Sequence, residues 1–444
     1  MTMLDAIARN SLSPYRPHDR RQPLAAAYAA LLLFSLIYFC RPEDWFPGLS
    51  HVPLAKIAGV LAIFAMAFSL RQVRNRMPRE TYFLMFLIAQ LFVASLMSPV
   101  WRGGAFQLTL NFAKVLIVVF VIAATVNTFR RLRALVLIQA ISVSAIAAVS
   151  IYKSHLILGR LEGTLGAYYT DPNDMALVII ISLPLSLALM FLARNRVLRV
   201  VWSISIATMT YAIFLTGSRG GFIALVVVAA ICLWEFAIKG RRRYLLMLAP
   251  LAVVGLLYSS GGMLVARLKG TFNVNDDTAA AYDSAQSRQE LLWRSIEITL
   301  EHPLFGVGPG NFNQVSGQWH TTHNSLTLMS SEGGIPALIL YVAILWCGFE
   351  NLRIARELAR VRPELRLLAG ALLASLAGYA VGSLFLSMAY LYFPYILVAY
   401  TTALFAIARK SPVKSRKDES VRNSVGKKNL YFRDPEIEMS VPTS

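Results

Sequence analysis

The sequence has little charge. Asp, Glu, Lys and Arg make up only 15% of its 444 residues, against about 25% in soluble domains. With a mean hydropathy of +0.55, that deficit excludes an ordinary soluble enzyme. Cysteine is scarce too: Cys40, Cys232 and Cys347 are the only three, too few for a disulfide framework. In the topology expected below, Cys40 and Cys347 lie at opposite ends of their spans. Roughly 30 Å of hydrocarbon separates such positions, beyond disulfide reach. No small-x-small cleavage site follows the first apolar run, and bulky Ile37, Tyr38 and Phe39 before Cys40 exclude lipoprotein processing. Internal repeats are missing as well. Acidic residues are outnumbered 24 to 43 by basic ones, for a net charge of +19.

Long apolar runs are abundant. They fall at 24–39, 53–70, 81–97, 106–128, 134–152, 173–193, 198–216, 220–238, 243–258, 324–349, 367–386 and 389–408. Most approach the roughly 20 residues a helix needs to cross a bilayer. Strands of a barrel would instead alternate over about ten residues. The expected fold is therefore an all-α polytopic membrane protein of about twelve transmembrane helices. Of the 43 basic residues, 32 fall in alternate loops and the two tails. By the positive-inside rule both termini are cytoplasmic, and the charge needs no nucleic-acid partner. Three regions follow: a cytoplasmic tail 1–23, a membrane domain 24–408, and a basic tail 409–444 whose polar composition reads as disordered. Within the membrane domain, 259–323 is one long extracytoplasmic loop, of a length that suggests function.

Four stretches on the extracytoplasmic side carry candidate chemistry. TGSRGG at 216–221 places glycines and Arg219 before a helix start, where free N–H groups and the helix dipole favour an anion. The alternative is a tight hairpin with a topogenic arginine, although Arg219 is on the wrong side for that. Ser287 and Glu290 have the capping-box form, predicting a helix from Arg288 to about Glu301 with an apolar face of Leu292, Ile296 and Leu300. Such a helix lies at the membrane surface, and its Arg288 is either an anion contact or a solvated arginine. Arg160 precedes Asp171-Pro172-Asn173-Asp174, where Asp171 reads as an N-cap and Pro172 as the first helical residue. Arg160 itself is an anion contact or a plain loop charge. His323 opens the tenth span, where a helix dipole disfavours its cation and leaves a neutral imidazole suited to general-base work. The alternative is an interfacial histidine without a role. His320 and His323 also invite a zinc reading with His302, Asp276 or Asp277, but no third ligand stands out. Within spans, Glu235 pairs with Lys239 at i, i+4, and Lys114 is a possible partner for Glu332 by depth.

Together these features suit a lipid-linked phosphate or diphosphate donor at the outer face. Arginines would hold the leaving diphosphate and His323 would take a proton from the attacking hydroxyl. A lipid-linked sugar transporter or flippase is the alternative class. It would call for repeats and midplane binding residues, which this sequence does not display.

The same stretches resemble the O-antigen ligase family, with its related polysaccharide polymerases and protein O-oligosaccharyltransferases. The matching pieces are TGSRGG at 216–221, SRQELLW at 287–293, HPLFGVGPGNF at 302–312 and HNSLTLMSSEGGIPAL at 323–338, with RLEGTLGAYYTDPND at 160–174 also similar. The resemblance implies a GT-C-like, metal-independent, inverting glycosyltransferase of the bacterial inner membrane, facing the periplasm and needing no cofactor. It implies a glycan on undecaprenyl diphosphate as donor, Arg219 and Arg288 as diphosphate contacts with Arg160 less surely placed, and His323 as acceptor-activating base. In ligases proper the acceptor is a sugar of the lipid A core. In polymerases it is another lipid-linked glycan, and in the oligosaccharyltransferases a Ser or Thr of a protein. The arginine-x10-glycine pattern of some polymerases is absent at all three arginines, which leans toward ligation in lipopolysaccharide biosynthesis.

Overall fold

The computed structural model describes residues 24–45, 52–69, 77–153, 156–157, 160–161, 163, 171–247, 279–317, 320–359 and 362–410. The chain runs through α1 (Ala25–Cys40), α2 (Leu54–Ser69), α3 (Arg79–Met97), α4 (Arg102–Thr125) and α5 (Phe129–Lys153). A two-stranded antiparallel hairpin follows, β1 (Leu156–Ile157) and β2 (Arg160–Leu161). Then come α6 (Pro172–Leu192), α7 (Arg196–Thr216), α8 (Arg219–Cys232, continued by a π-helical turn Leu233–Ile238) and α9 (Ala279–Glu301). The last elements are α10 (Phe312–Val315), α11 (Ser325–Leu358), α12 (Pro363–Gly382) and α13 (Phe393–Arg409).

Among the described residues, eight helices are long and apolar enough to cross a membrane; Ala25–Cys40, Lys56–Ala67 and Phe393–Arg409 are shorter apolar helices. The expected span 243–258 lies mostly outside the described residues, as do 259–278, both tails, Asp276 and Asp277.

α6 is the central helix. It packs against α5, α7, α8 and α12, and its apolar side chains are buried on every face. Polar contacts knit it inward: Gln139 Nε2 donates to Ser182 Oγ at 3.1 Å. α11 packs on α3, α9, α12 and α13, and the buried Tyr341 and Tyr379 hydroxyls meet at 2.7 Å.

Contacts between loops sort the described helix ends into two groups, one at each end of the bundle. At one end lie basic residues and buried ion pairs. Glu235 accepts from Lys239 at 3.3 Å and from Arg356 at 2.5 Å; the arginine, supplied by α11, is a partner the i, i+4 reading did not include. Buried Glu80 accepts from Asn351 and Thr402. The other end holds the hairpin, α9, and the loops before α6, α8, α11 and α13.

The glycine-rich loop after α9 is latched to α11. The Glu332 carboxylate accepts from the Gly310 N–H at 2.8 Å and the Phe312 N–H at 3.1 Å. Backbone bonds run from Val307 N–H to Ser331 O and from Gly308 N–H to Glu332 O. Lys114 instead donates to Asn111 at 2.6 Å, so the expected Lys114–Glu332 pair is not made; the loop N–H groups occupy that carboxylate. α11 breaks at Gly334, with φ 81° and ψ 172° inside the helix. A side chain there would need a left-handed backbone, and its Cβ would lie 2.4 Å from the Leu304 carbonyl oxygen. Pro336, which cannot donate to the helix ladder, follows.

Candidate functional site

The His323 turn is built by small polar side chains. Asn324, not His323, caps α11: its Oδ1 accepts from Leu326 N–H at 2.9 Å and Thr327 N–H at 3.3 Å. His323 therefore precedes the helix instead of opening it. Its backbone is left-handed, φ 50°, a conformation a non-glycine residue adopts only when its surroundings fix it. They do so here. Thr322 Oγ1 donates to Asn324 O at 2.7 Å, and Thr321 and Thr322 both meet Ser387 Oγ, at 2.7 and 3.2 Å. Ser325 anchors the next residue, its N–H on Ser383 O at 2.8 Å and its hydroxyl on Leu386 O at 2.6 Å.

His323 is neutral near pH 7. Burial, and then the Arg288 guanidinium, hold its imidazole well below the ordinary value, at about 4; Asp171 opposes the shift and His320 reinforces it. The neutral state expected from sequence is thus present, but burial and a neighbouring cation produce it. Arg288 is lowered by burial, with Asp171 again opposing. Asp171 therefore acts on both groups while capping α6, its Oδ1 accepting from Asn173 N–H at 2.7 Å and Asp174 N–H at 3.2 Å.

Arg288 does not start its helix. α9 begins at Ala279, so Ser287 lies inside the helix and not at its N-cap. The face turned to the protein is also different: Leu291, Ser295, Ile298 and Thr299 are buried. Leu291 and Ile298 pack on Val307 and Phe312, and Thr299 Oγ1 meets Ser330 Oγ at 2.9 Å. Leu300, from the expected face, is 71% exposed beside exposed Trp293 and Leu304. The helix has apolar residues on two sides, and the glycine-rich loop selects one of them.

Arg160 reaches across two motifs. Its Nε donates to Thr216 O at 2.8 Å and its terminal nitrogen to Asn173 Oδ1 at 2.9 Å. It thereby ties the hairpin to the TGSRGG turn and to the start of α6. In that turn Gly217 ends α7 with φ 57°, and Ser218 caps α8 through the Gly221 N–H at 3.1 Å. Gly220 and Gly221 serve close packing: a Cβ on Gly220 would lie 2.6 Å from Phe385, and one on Gly221 3.0 Å from Ala176. Arg219, half-buried at the first position of α8, is linked to the His323 turn through the 383–392 loop, which carries both Phe385 and Ser387.

The structure thus gathers Arg160, Arg219, Arg288 and His323 at one end of the bundle, with Arg288 and His323 close enough to act on each other's charge. Sequence reasoning missed Asp171 as their shared neighbour, because an N-cap already accounted for it. It also missed the 383–392 loop, whose Ser and Leu residues carry no motif. Among the described residues, no group of three or more His, Cys, Asp or Glu is placed to hold a metal ion.

Two comparisons bear on this arrangement. Residues 204–342 match the family model described as O-antigen ligase (Wzy_C). That segment contains Arg219, Arg288, Glu332 and His323. A comparison of the whole chain with curated proteins gives no match.

Proposed function

We propose that this chain, whose residues 204–342 match the O-antigen ligase family model, transfers a glycan from undecaprenyl diphosphate to an acceptor hydroxyl at the periplasmic face of the bacterial inner membrane, joining O-antigen to the lipid A core. The observation that carries this reading is the neutral His323 beside a half-buried Arg288. A neutral imidazole can accept a proton, and a partly desolvated guanidinium makes charge-assisted hydrogen bonds to an anion.

In this reaction the acceptor oxygen attacks the anomeric carbon as His323 takes its proton. The bond from that carbon to the diphosphate oxygen breaks, and the lipid diphosphate leaves with the electron pair. One displacement inverts the anomeric centre. Arg288 and Arg219 face the charge developing on the leaving group, and fixed positive charge at that point lowers the barrier to its departure. Arg160 is assigned to positioning, since it is bonded to Thr216 and Asn173. No metal or cofactor is assigned a role.

The test is transfer by purified protein in detergent, with a short glycan on undecaprenyl diphosphate as donor. Lipid A core, a second lipid-linked glycan and a Ser/Thr peptide are offered separately, with and without EDTA. The expected result is product on lipid A core that survives EDTA and is lost in His323→Ala and Arg288→Ala. Product on the second glycan or the peptide alone would reassign the protein as a polymerase or an oligosaccharyltransferase. Undiminished transfer by folded His323→Ala would overturn the mechanism.

A further inference from the structure

At the basic end, opposite His323, a groove of about 510 Å³ opens between the end of α6, the first half of α7 and residues 242–245. Leu187, Met190, Phe191 and Ile206 form apolar walls, Arg199 and Arg242 stand at its rim, and no acidic residue lines it. The two arginines are held in place. Arg199 Nε donates to the Ala193 carbonyl at 3.0 Å, which leaves its terminal nitrogens directed elsewhere. The Arg242 guanidinium lies 4.1 Å from the centroid of the Phe191 ring, a cation–π contact that fixes the plane without neutralising the charge. Neither arginine has a carboxylate partner among the described residues.

The chain is bent to achieve this. α8 ends in a π-helical turn, and Arg241 then takes a left-handed backbone, φ 56°. Residues other than glycine seldom occupy that region. The reversal carries Arg242 back onto Phe191. Beside the groove, α7 presents exposed Val197, Leu198, Val200, Val201 and Ile204, so the groove opens on a surface that faces hydrocarbon.

We propose that this groove is a binding site for one anionic phospholipid, its phosphate held between Arg199 and Arg242 and an acyl chain lying along Leu187, Met190 and Ile206. Two guanidinium groups without carboxylate partners, at the level of a helix end, match a phosphate that carries net charge. A zwitterionic lipid would bring its own cation to a rim that already has two. A free anion would make no use of the apolar walls.

The experiment exchanges purified full-length protein into nanodiscs with equal phosphatidylglycerol and phosphatidylethanolamine, then counts retained lipid by native mass spectrometry. Wild type should retain phosphatidylglycerol in clear excess. An Arg199→Gln, Arg242→Gln double variant should lose that preference by about tenfold or more, the scale expected for two charges near a headgroup. An Arg199→Lys, Arg242→Lys variant keeps the charges and should keep at least part of the preference, separating electrostatics from misfolding. Equal retention of both lipids by wild type would overturn the site. So would an unchanged preference in the glutamine variant, or displacement of the lipid by inorganic phosphate.

Discussion

A histidine held neutral by burial and a neighbouring arginine has a defined response to acid. The ordinary histidine value is about 6.5, and His323 sits at about 4 in the native state. As pH falls below 6.5 the unfolded chain takes up the proton first. The native state therefore loses stability between about 6.5 and 4, and this group adds no pH dependence above that window. If His323 is the base, kcat/KM stays flat from neutral pH down to about 5 and falls only as the pH nears 4. In Arg288→Gln the neighbouring cation is gone, so the acid limb of the residual activity moves to higher pH. A wild-type limb near 6.5 would contradict the burial of His323. That Arg160, Arg219, Arg288 and His323 share one end of the bundle was legible in the sequence, because all four fall on the same side of the expected spans. Their environment was not. The histidine lies two residues before the helix, and its neutral state comes first from burial and then from Arg288, which is distant in the chain.

At the scale of elements, one carboxylate couples two pieces of the fold. Glu332 accepts two loop N–H groups, and the loop supports α9 through Val307 and Phe312. Glu332→Ala leaves the buried Phe312 N–H without a partner, a cost of about 1–3 kcal/mol, while the Gly310 N–H, at an exposed residue, can turn to water. The melting temperature should fall, and limited proteolysis should cut the 303–317 segment before the rest of the bundle. Glu332→Gln keeps one acceptor oxygen and should fall between the two. A melting temperature unchanged in Glu332→Ala would show that the latch adds no stability. The depth of this carboxylate could be read from the chain but its partners could not, since backbone N–H groups leave no mark in composition. The register of α9 was misjudged for a related reason. Apolar residues on two of its sides made either face available, and the packing loop decided between them.

For the whole molecule, the division of loops into two ends carries a prediction of sidedness. With the native cysteines replaced, Gln314→Cys should react with a membrane-impermeant thiol reagent applied to intact spheroplasts. Arg194→Cys should react only after the membrane is opened. The reverse pattern would invert the orientation inferred from the basic loops. Helix positions were legible here because hydrocarbon imposes length on an apolar run. Which helix is central was not. α6 is more apolar than α7, with a mean hydropathy of 2.6 against 1.6, but α8 reaches 2.5 and is far less buried, so apolarity alone does not mark the central helix.

The break at Gly334 divides α11 into two segments with different masters. The short upper one, carrying Asn324 to Gly333, is pinned by the latch and by the 383–392 loop. The long lower one is tied to the loop at its first residue, Ile335 N–H on Pro303 O at 2.8 Å, and from there packs on α3, α12 and α13. Membranes of different thickness are accommodated by tilting a span, and here that tilt can be taken up at Gly334. His323 would then keep its position relative to Arg288 as hydrophobic thickness varies, leaving the site insulated from the mechanics of the membrane that holds it.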